Sequence, residues 1–373
     1  MKPKMYFDSP LFSQEGIPNA ARAYAIMLSN YYDVMISDTK YRSSFENIFM
    51  KMYRPIDFDK DDFIYLKIIH PEQWPLVKNR SFFGFHILEG DRLPIQHIEG
   101  INNSIVKIVF TPSSFVENLF ITQGVKKPIK VVPHAISKKF KPRNIEKDDR
   151  VTVFLYIAAI FGVSNSDRKG LDILLWAWKR FENNKHMKLI LKINARYAIK
   201  ANKDLGKTFD LQEYLENVYG GKLPQNIELI DYSLNDADLV KLYNISDCIL
   251  YPSRGEGFGL VPFEGLGCGT PCIVTANLGM DEYLNHLDGG YARVKVSCLV
   301  PGENRYPYFD GVHQSNWHEP DKSDFLEKIY DFLGHKKYYK QGALEASERL
   351  HMIFSYEKVG AQLFNNLNQE AFR

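Results

Sequence analysis

The sequence predicts an α/β protein built from two successive domains, each with a parallel sheet. Two observations carry this. Short apolar runs recur along the chain, each closed by turn residues and most followed by a helical pattern, as buried parallel strands require. The length, 373 residues, is long for one core and comfortable for two. The composition, 45% hydrophobic and 25% charged, excludes both a disordered chain and a bundle of membrane helices.

In the first half, Met5-Tyr6-Phe7 reads as a strand that ends in the loop Asp8 to Pro18. A helix then runs from about Asn19 to Asn30, with Ala20, Ala23, Ile26 and Met27 on one face. Strands follow at 34–36, 63–70, 82–87 and 105–110. Thr111 or Ser113 can cap a helix starting near Phe115, with Pro112 at its boundary. The run 129–136 is the last strand, and a Lys- and Arg-rich segment to Arg150 reads as a linker.

The second half opens with a strand at 151–158 and a polar loop, Ser164-Asn165-Ser166-Asp167. Arg168-Lys169-Gly170 then precede a helix from Leu171 to Phe181. Two adjacent cations at a helix N-terminus oppose the dipole unless an anion neutralises them, which argues for a phosphate partner, with surface solvation as the alternative. Strands at 187–193 and 226–230 come next, then a helix beginning near Asn235. The stretch 291–317 is irregular and carries no assignment, and helical patterns close the chain near 324–333 and 355–368.

The richest stretch is Cys248 to Leu284. A buried strand, Cys248 to Tyr251, leads through the turn Pro252 to Gly257 into a helix expected to open at Phe258, and a strand follows at 272–275. Ligands of open parallel sheets sit beyond the carboxyl ends of strands, where free N–H groups favour phosphate. Glycines at 255, 257 and 259 leave the backbone open to a ligand. Glu256 and Glu264 lie eight positions apart, a little over two helical turns. The pattern suits a sugar nucleotide, with diphosphate on the amides and hydroxyls on the carboxylates. An ordinary Gly-rich turn with two solvated glutamates fits it about equally.

Glu256-Gly257-Phe258-Gly259-Leu260, then Glu264, then Gly269-Thr270-Pro271-Cys272-Ile273 resemble the E-x7-E signature of retaining family 4 glycosyltransferases. The resemblance implies the GT-B fold: two Rossmann-like domains facing across a cleft, and a last helix crossing back to the first domain. It places the acceptor domain at 1–148, the donor domain at 149–350 and the returning helix at 351–373. It implies Glu256 beside the donor sugar's hydroxyls and Glu264 on the nucleotide ribose. Gly257, Phe258, Gly259 and Leu260 complete that donor loop. Arg168 and Lys169 would grip the diphosphate and stabilise it as it leaves, and Tyr232, after the strand at 226–230, would stack on the base.

In the first domain the resemblance extends to Gly84 through Pro94, which ends in Glu89-Gly90-Asp91-Arg92-Leu93-Pro94, and to Thr111-Pro112-Ser113-Ser114-Phe115-Val116. It implies that His86 hydrogen-bonds the donor sugar or relays the acceptor's proton; a lone histidine is otherwise more often structural. Gly16 falls in the loop that closes over donor phosphate and acceptor. Glu15-Gly16 stands where relatives have two glycines, and Gly16 as a plain turn residue competes. His134 and Ala135 replace the family's usual small polar residue and glycine, and His134 is expected to be structural.

The net charge of +2 is uneven, with a basic excess from Lys126 to Arg150. That segment suits a solvated linker better than an anionic membrane surface, although peripheral contact stays open. No nucleic-acid fingerprint is present. Cys248, Cys268, Cys272 and Cys298 include no C-x-x-C pair, which predicts a reducing cytoplasmic setting with no disulfide framework and no zinc site. No signal peptide or spanning run is expected. Asp59-Lys60-Asp61 and Asp236-Ala237-Asp238 match D-x-D but do not follow strands as a metal site would, so no metal and no cofactor are expected.

The expected activity is retaining, metal-independent transfer of a sugar from a UDP- or GDP-sugar to a hydroxyl of an unidentified glycan, lipid or protein. Two alternatives remain open, a GT-B phosphorylase and a catalytically silent nucleotide- or sugar-binding module. A dehydrogenase is disfavoured, because no strand–G-x-G-x-x-G–helix unit is present.

Overall fold

A computed structural model describes residues 2–11, 16–36, 47–52, 54, 62–68, 71–74, 81–160, 167–204, 206–302 and 315–371. The chain divides into two compact units. The first takes in 1–88, 93–137 and 353–373, and the second takes in 89–92 and 138–352.

In the first unit β1 (Lys4–Asp8), α1 (Gly16–Leu28), β2 (Asp33–Ile36), α2 (Asn47–Met52) and β3 (Ile64–Ile68) come first. They are followed by β4 (Phe82–Phe85), α3 (Ile95–Asn103), β5 (Ile108–Thr111), α4 (Ser114–Thr122) and β6 (Ile129–Val131). The six strands form one parallel sheet in the order β2-β1-β3-β4-β5-β6. Its strands are short, and the central β4 and β5 are buried throughout, as helix-covered parallel sheets demand, while the edge strand β6 exposes Lys130. Ser113 caps α4, accepting from the Val116 amide at 3.4 Å. His134 is structural, as expected: its Nδ1 lies 2.9 Å from the Tyr24 hydroxyl, and burial pushes its pKa down to about 3.

The second unit contains β7 (Thr152–Ala159), α5 (Leu171–Trp178), β8 (Met187–Asn194), α6 (Arg196–Asp204), α7 (Leu211–Tyr219) and β9 (Ile227–Ile230). Next come α8 (Asp236–Ile245), β10 (Cys248–Tyr251), α9 (Leu260–Gly267), β11 (Cys272–Thr275), α10 (Asp281–Leu284) and β12 (Tyr291–Val294). An antiparallel pair, β13 (Val296–Pro301) and β14 (Asn316–Pro320), precedes α11 (Lys322–Gly334) and α12 (Lys336–Ile353). The chain's final helix, α13 (Tyr356–Ala371), belongs to the first unit. There Phe364 stacks on Tyr31 with centroids 4.2 Å apart.

The second sheet is also parallel, in the order β12-β11-β10-β7-β8-β9. Its first strand in sequence, β7, lies between β8 and β10, so the strand order reverses there, and the crevice beyond such a point is where ligands bind. α5 anchors this half by burying Leu171, Ile173, Leu174, Leu175, Ala177 and Trp178. Each large apolar side chain buried this way contributes about 1.5–3 kcal/mol.

Several expectations need correction. The stretch 291–317 holds the sheet's edge strand β12, then β13 and the start of β14, which pairs antiparallel with β13, and α2, α3, α6, α7, α10 and α12 had no sequence assignment. The helix expected from Phe258 begins at Leu260. Asp236 and Asp238 occupy the first turn of α8, as expected. Asp59-Lys60-Asp61, residues 12–15 of the Gly16 loop and Ser164-Asn165-Ser166 lie outside the described residues. Among the described residues no helix is long and apolar enough to cross a membrane.

Candidate active site

The turns after β7 and β10 meet at the switch point. The turn after β7 carries Arg168 and Lys169, and the turn after β10 carries Ser253, Arg254 and Glu256. Glu256 is 4% exposed, and all its hydrogen bonds from described residues fall on one oxygen. Oε1 accepts from Ser253 Oγ at 2.7 Å, Tyr251 Oη at 3.0 Å and Arg168 Nη1 at 3.3 Å, and from Lys169 Nζ. Oε2 receives none of these bonds. Burial alone would raise the carboxyl's pKa, but the neighbouring Lys169 and Arg168 charges outweigh it and hold it below the usual range.

The two cations are therefore neutralised inside the protein. Arg168 also binds Glu89 Oε2 through Nη2 at 2.9 Å and donates to the Gly255 carbonyl. Lys169 reaches Tyr251 Oη at 2.8 Å. The argument that these cations require an outside phosphate is corrected by this arrangement, since Glu256 and Glu89 already face them.

Glu264, inside α9, is held differently. It is half-buried, Tyr243 Oη donates to its Oε2 at 3.0 Å, and burial pushes its pKa up to about 7. No described residue donates to Oε1. Both carboxylates thus have one oxygen anchored and the other without a donor from the described protein.

The glycines of the turn serve the fold first. A Cβ on Gly255 would lie 1.9 Å from the Glu89 carbonyl oxygen, so the turn needs a residue with no side chain there. Gly259 caps α9 in the left-handed region at φ 80°, where a Cβ would meet Met280 Cγ at 2.4 Å. Phe258 is a core residue, its ring 5.0 Å from Phe263 and 5.2 Å from Tyr283, so only its backbone is left for a ligand. Leu260 is half-buried at the start of α9, and Gly257 is buried beside Glu256. Tyr232, just past β9, is 63% exposed.

In the first unit, Gly16 is the exposed first residue of α1. His86, just beyond β4, is 4% exposed. Its Nε2 lies 3.0 Å from His97 Nδ1, and its ring packs on Phe120 at 5.6 Å. His86 is thus a buried side chain held between His97 and Phe120. His97 Nε2 in turn lies 3.3 Å from Glu72.

The main omission of the sequence reading is Arg254. It is 1% exposed and meets Asp172 through Nη1–Oδ1 at 2.7 Å and Nη2–Oδ2 at 2.8 Å. It meets Glu319 of β14 through Nε and through Nη2, the latter at 2.7 Å, and donates to the Asp167 carbonyl at 2.6 Å. Its backbone N–H donates to the Arg168 carbonyl at 2.7 Å. One guanidinium thus ties the two site-bearing turns to each other and to β14. Nothing in the sequence marks it, because an arginine between turn residues reads as solvated.

Two parallel six-stranded sheets, with these charged turns beyond the strand ends, define a GT-B glycosyltransferase fold. The chain resembles sucrose-phosphate synthase of Thermosynechococcus elongatus with a TM-score of 0.70 at 14% identity, covering 99% of both chains. Anabaena Alr3699/HepE, solved with UDP and glucose, gives 0.66 at 12% identity, covering 99% of this chain and 100% of that one. Residues 114–363 match the family described as family 4 glycosyltransferase in conflict systems, and the chain belongs to that family. It is a transferase of the GT-B type.

A protein of the Sulfolobus islandicus filamentous virus designated glycosyltransferase 45 is 26% identical over 275 residues, 72% of this chain and 69% of that one. N-acetyl-alpha-D-glucosaminyl L-malate synthase of Bacillus anthracis is 28% identical over 134 residues. That match covers 35% of this chain and 33% of the enzyme.

Proposed function

We propose that the protein transfers a sugar from a nucleotide-diphosphate sugar to a hydroxyl acceptor, with retention at the anomeric carbon and without a metal ion. The observation that carries this reading is the arrangement of Glu256, with Arg168 and Lys169 on Oε1 and no described donor on Oε2. Oε2 is left to accept from a sugar hydroxyl, while the two fixed cations lie where charge on a departing diphosphate would need stabilising. Preorganised cations of this kind act without reorganising during the reaction, and they supply the charge a metal ion would otherwise bring.

In this reading Glu264 binds the ribose and Tyr232 stacks on the base. The backbone from Gly257 through Phe258 and Gly259 to Leu260 approaches the donor, and Gly16 contributes from its loop. The bond from the anomeric carbon to the diphosphate oxygen breaks as the bond to the acceptor oxygen forms on the same face. The acceptor's proton passes to the departing phosphate oxygen, so no protein nucleophile is required. His86 assists at the sugar or the acceptor only if its side chain leaves the contact with His97. HepE, which is similar in fold, was solved with UDP and glucose, and this supports a uridine donor as the first trial. The acceptor is a glycan, lipid or protein hydroxyl. Membrane contact through 126–150 has less support, because Lys139, Lys147 and Arg150 are paired with Asp236, Asp247 and Asp148.

A thermal-shift panel of uridine, guanosine and adenosine diphosphates and their sugars, without added metal, tests this. One base should raise the melting temperature of the wild type, and Glu264→Ala and Arg168→Ala should abolish the shift. No shift with any nucleotide would overturn the donor assignment.

A further inference from the structure

Tyr243 lies on α8, outside the E-x7-E stretch, yet it is the one described residue that hydrogen-bonds Glu264. It is fixed from several sides. The side chain is 1% exposed, its carbonyl accepts from Thr270 Oγ1 at 2.7 Å, and its ring meets Phe140 edge-on at 6.0 Å. Burial holds the phenol's pKa well above its ordinary value, so it stays a donor through the working pH range.

The other polar groups near Glu264 do not replace it. Lys139 and Asp236 pair with each other at 2.5 Å, and their effects on Glu264 oppose. The Cys268 thiol, pushed up to about 12 by burial, carries no charge. Glu256 is gripped by two cations, whereas Glu264 depends on a single neutral donor for both its orientation and its ionised form.

We propose that Tyr243 is a positioning residue for nucleotide recognition: by holding Glu264 Oε2 it presents Oε1 to the ribose diol, and so makes the site prefer ribonucleotides to deoxyribonucleotides. This rests on the nucleotide-sugar reading above and extends it to a residue outside the signature. Without the phenol, Glu264 must be ordered when the nucleotide binds and must lose a proton it then holds more tightly. Both costs fall only on ligands that use the carboxylate.

Titration calorimetry of the full chain with UDP and GDP, and with their 2′,3′-dideoxy forms, tests this in the wild type, Tyr243→Phe and Glu264→Gln. Tyr243→Phe should weaken the bound ribonucleotide about tenfold, the effect of one hydrogen bond to a charged group. It should leave the dideoxy form within about twofold and move the acid limb of the binding profile to higher pH. Loss of both ligands to the same extent would show a purely structural role and overturn the proposal. So would a Tyr243→Phe protein that keeps wild-type affinity while Glu264→Gln loses its ribose preference. A ribose preference that survives Glu264→Gln would instead overturn the placement of Glu264 on the ribose, and the role of Tyr243 with it.

Discussion

Arg254 meets Asp172 through two parallel bonds, Nη1 to Oδ1 at 2.7 Å and Nη2 to Oδ2 at 2.8 Å, and the same guanidinium also faces Glu319. A fully buried charge with two counter-charges is costly to unpair, because removing one partner strands the others. Arg254→Met should therefore destabilise the protein by about 3–5 kcal/mol. Arg254→Lys should recover part of that loss, since it keeps the charge and loses the fork. Thermal melts of the two variants beside wild type check the order. Equal melting temperatures for all three would contradict the bracing role.

Glu256→Gln separates binding from transfer. It leaves Arg168 and Lys169 without their shared counter-charge, so the bare protein should melt lower. A nucleoside diphosphate brings phosphate to those cations, so its thermal shift should be larger in the variant than in wild type. Transfer should nonetheless fall by at least about a hundredfold. A smaller shift in the variant would contradict the placing of phosphate beside these cations.

Glu264 gives a pH signature. Its folded pKa is pushed up to about 7 from an ordinary 4.5. Between those values the folded protein keeps a proton that the unfolded chain has released. The contribution of this group to stability is thus greatest below pH 4.5 and declines as pH rises towards about 7. The difference in melting temperature between wild type and Glu264→Gln, followed across that window, should fall with rising pH. A flat difference would contradict the raised pKa.

Gly255→Ala should cost more than Gly259→Ala. The added methyl at 255 meets a backbone carbonyl at 1.9 Å, whereas at 259 it meets the flexible Met280 side chain at 2.4 Å together with an unfavourable φ. Urea melts order the two, and the reverse order would contradict the close approach of the Glu89 segment to this turn.

The fold was legible because parallel strands buried on both faces write themselves as apolar runs: β7, β8, β10 and β11 can be read directly. β12 was missed because Tyr291-Ala292-Arg293-Val294 alternates at the sheet edge, and the amphipathic helices α6 and α7 lie in polar stretches. Glu256, Glu264, Arg168 and Lys169 stand out in the sequence because motif and strand-end position coincide. Arg254 and Tyr243 do not, because their partners are distant in sequence: 82 and 65 positions for Asp172 and Glu319, and 21 for Glu264. Only the folded chain brings those pairs together. The glycines illustrate a subtler limit, since the sequence signals that space is needed but not that Glu89 and Met280 fill it.

The most direct measurement is release of nucleoside diphosphate from a panel of UDP- and GDP-sugars, with a chelator present, by wild type and Glu256→Gln. Slow hydrolysis of the donor by water makes this possible before the acceptor is known. The account predicts release from sugars of one base, unchanged by the chelator and lost in Glu256→Gln. Release that needs a divalent ion, or that continues unchanged in Glu256→Gln, would contradict it.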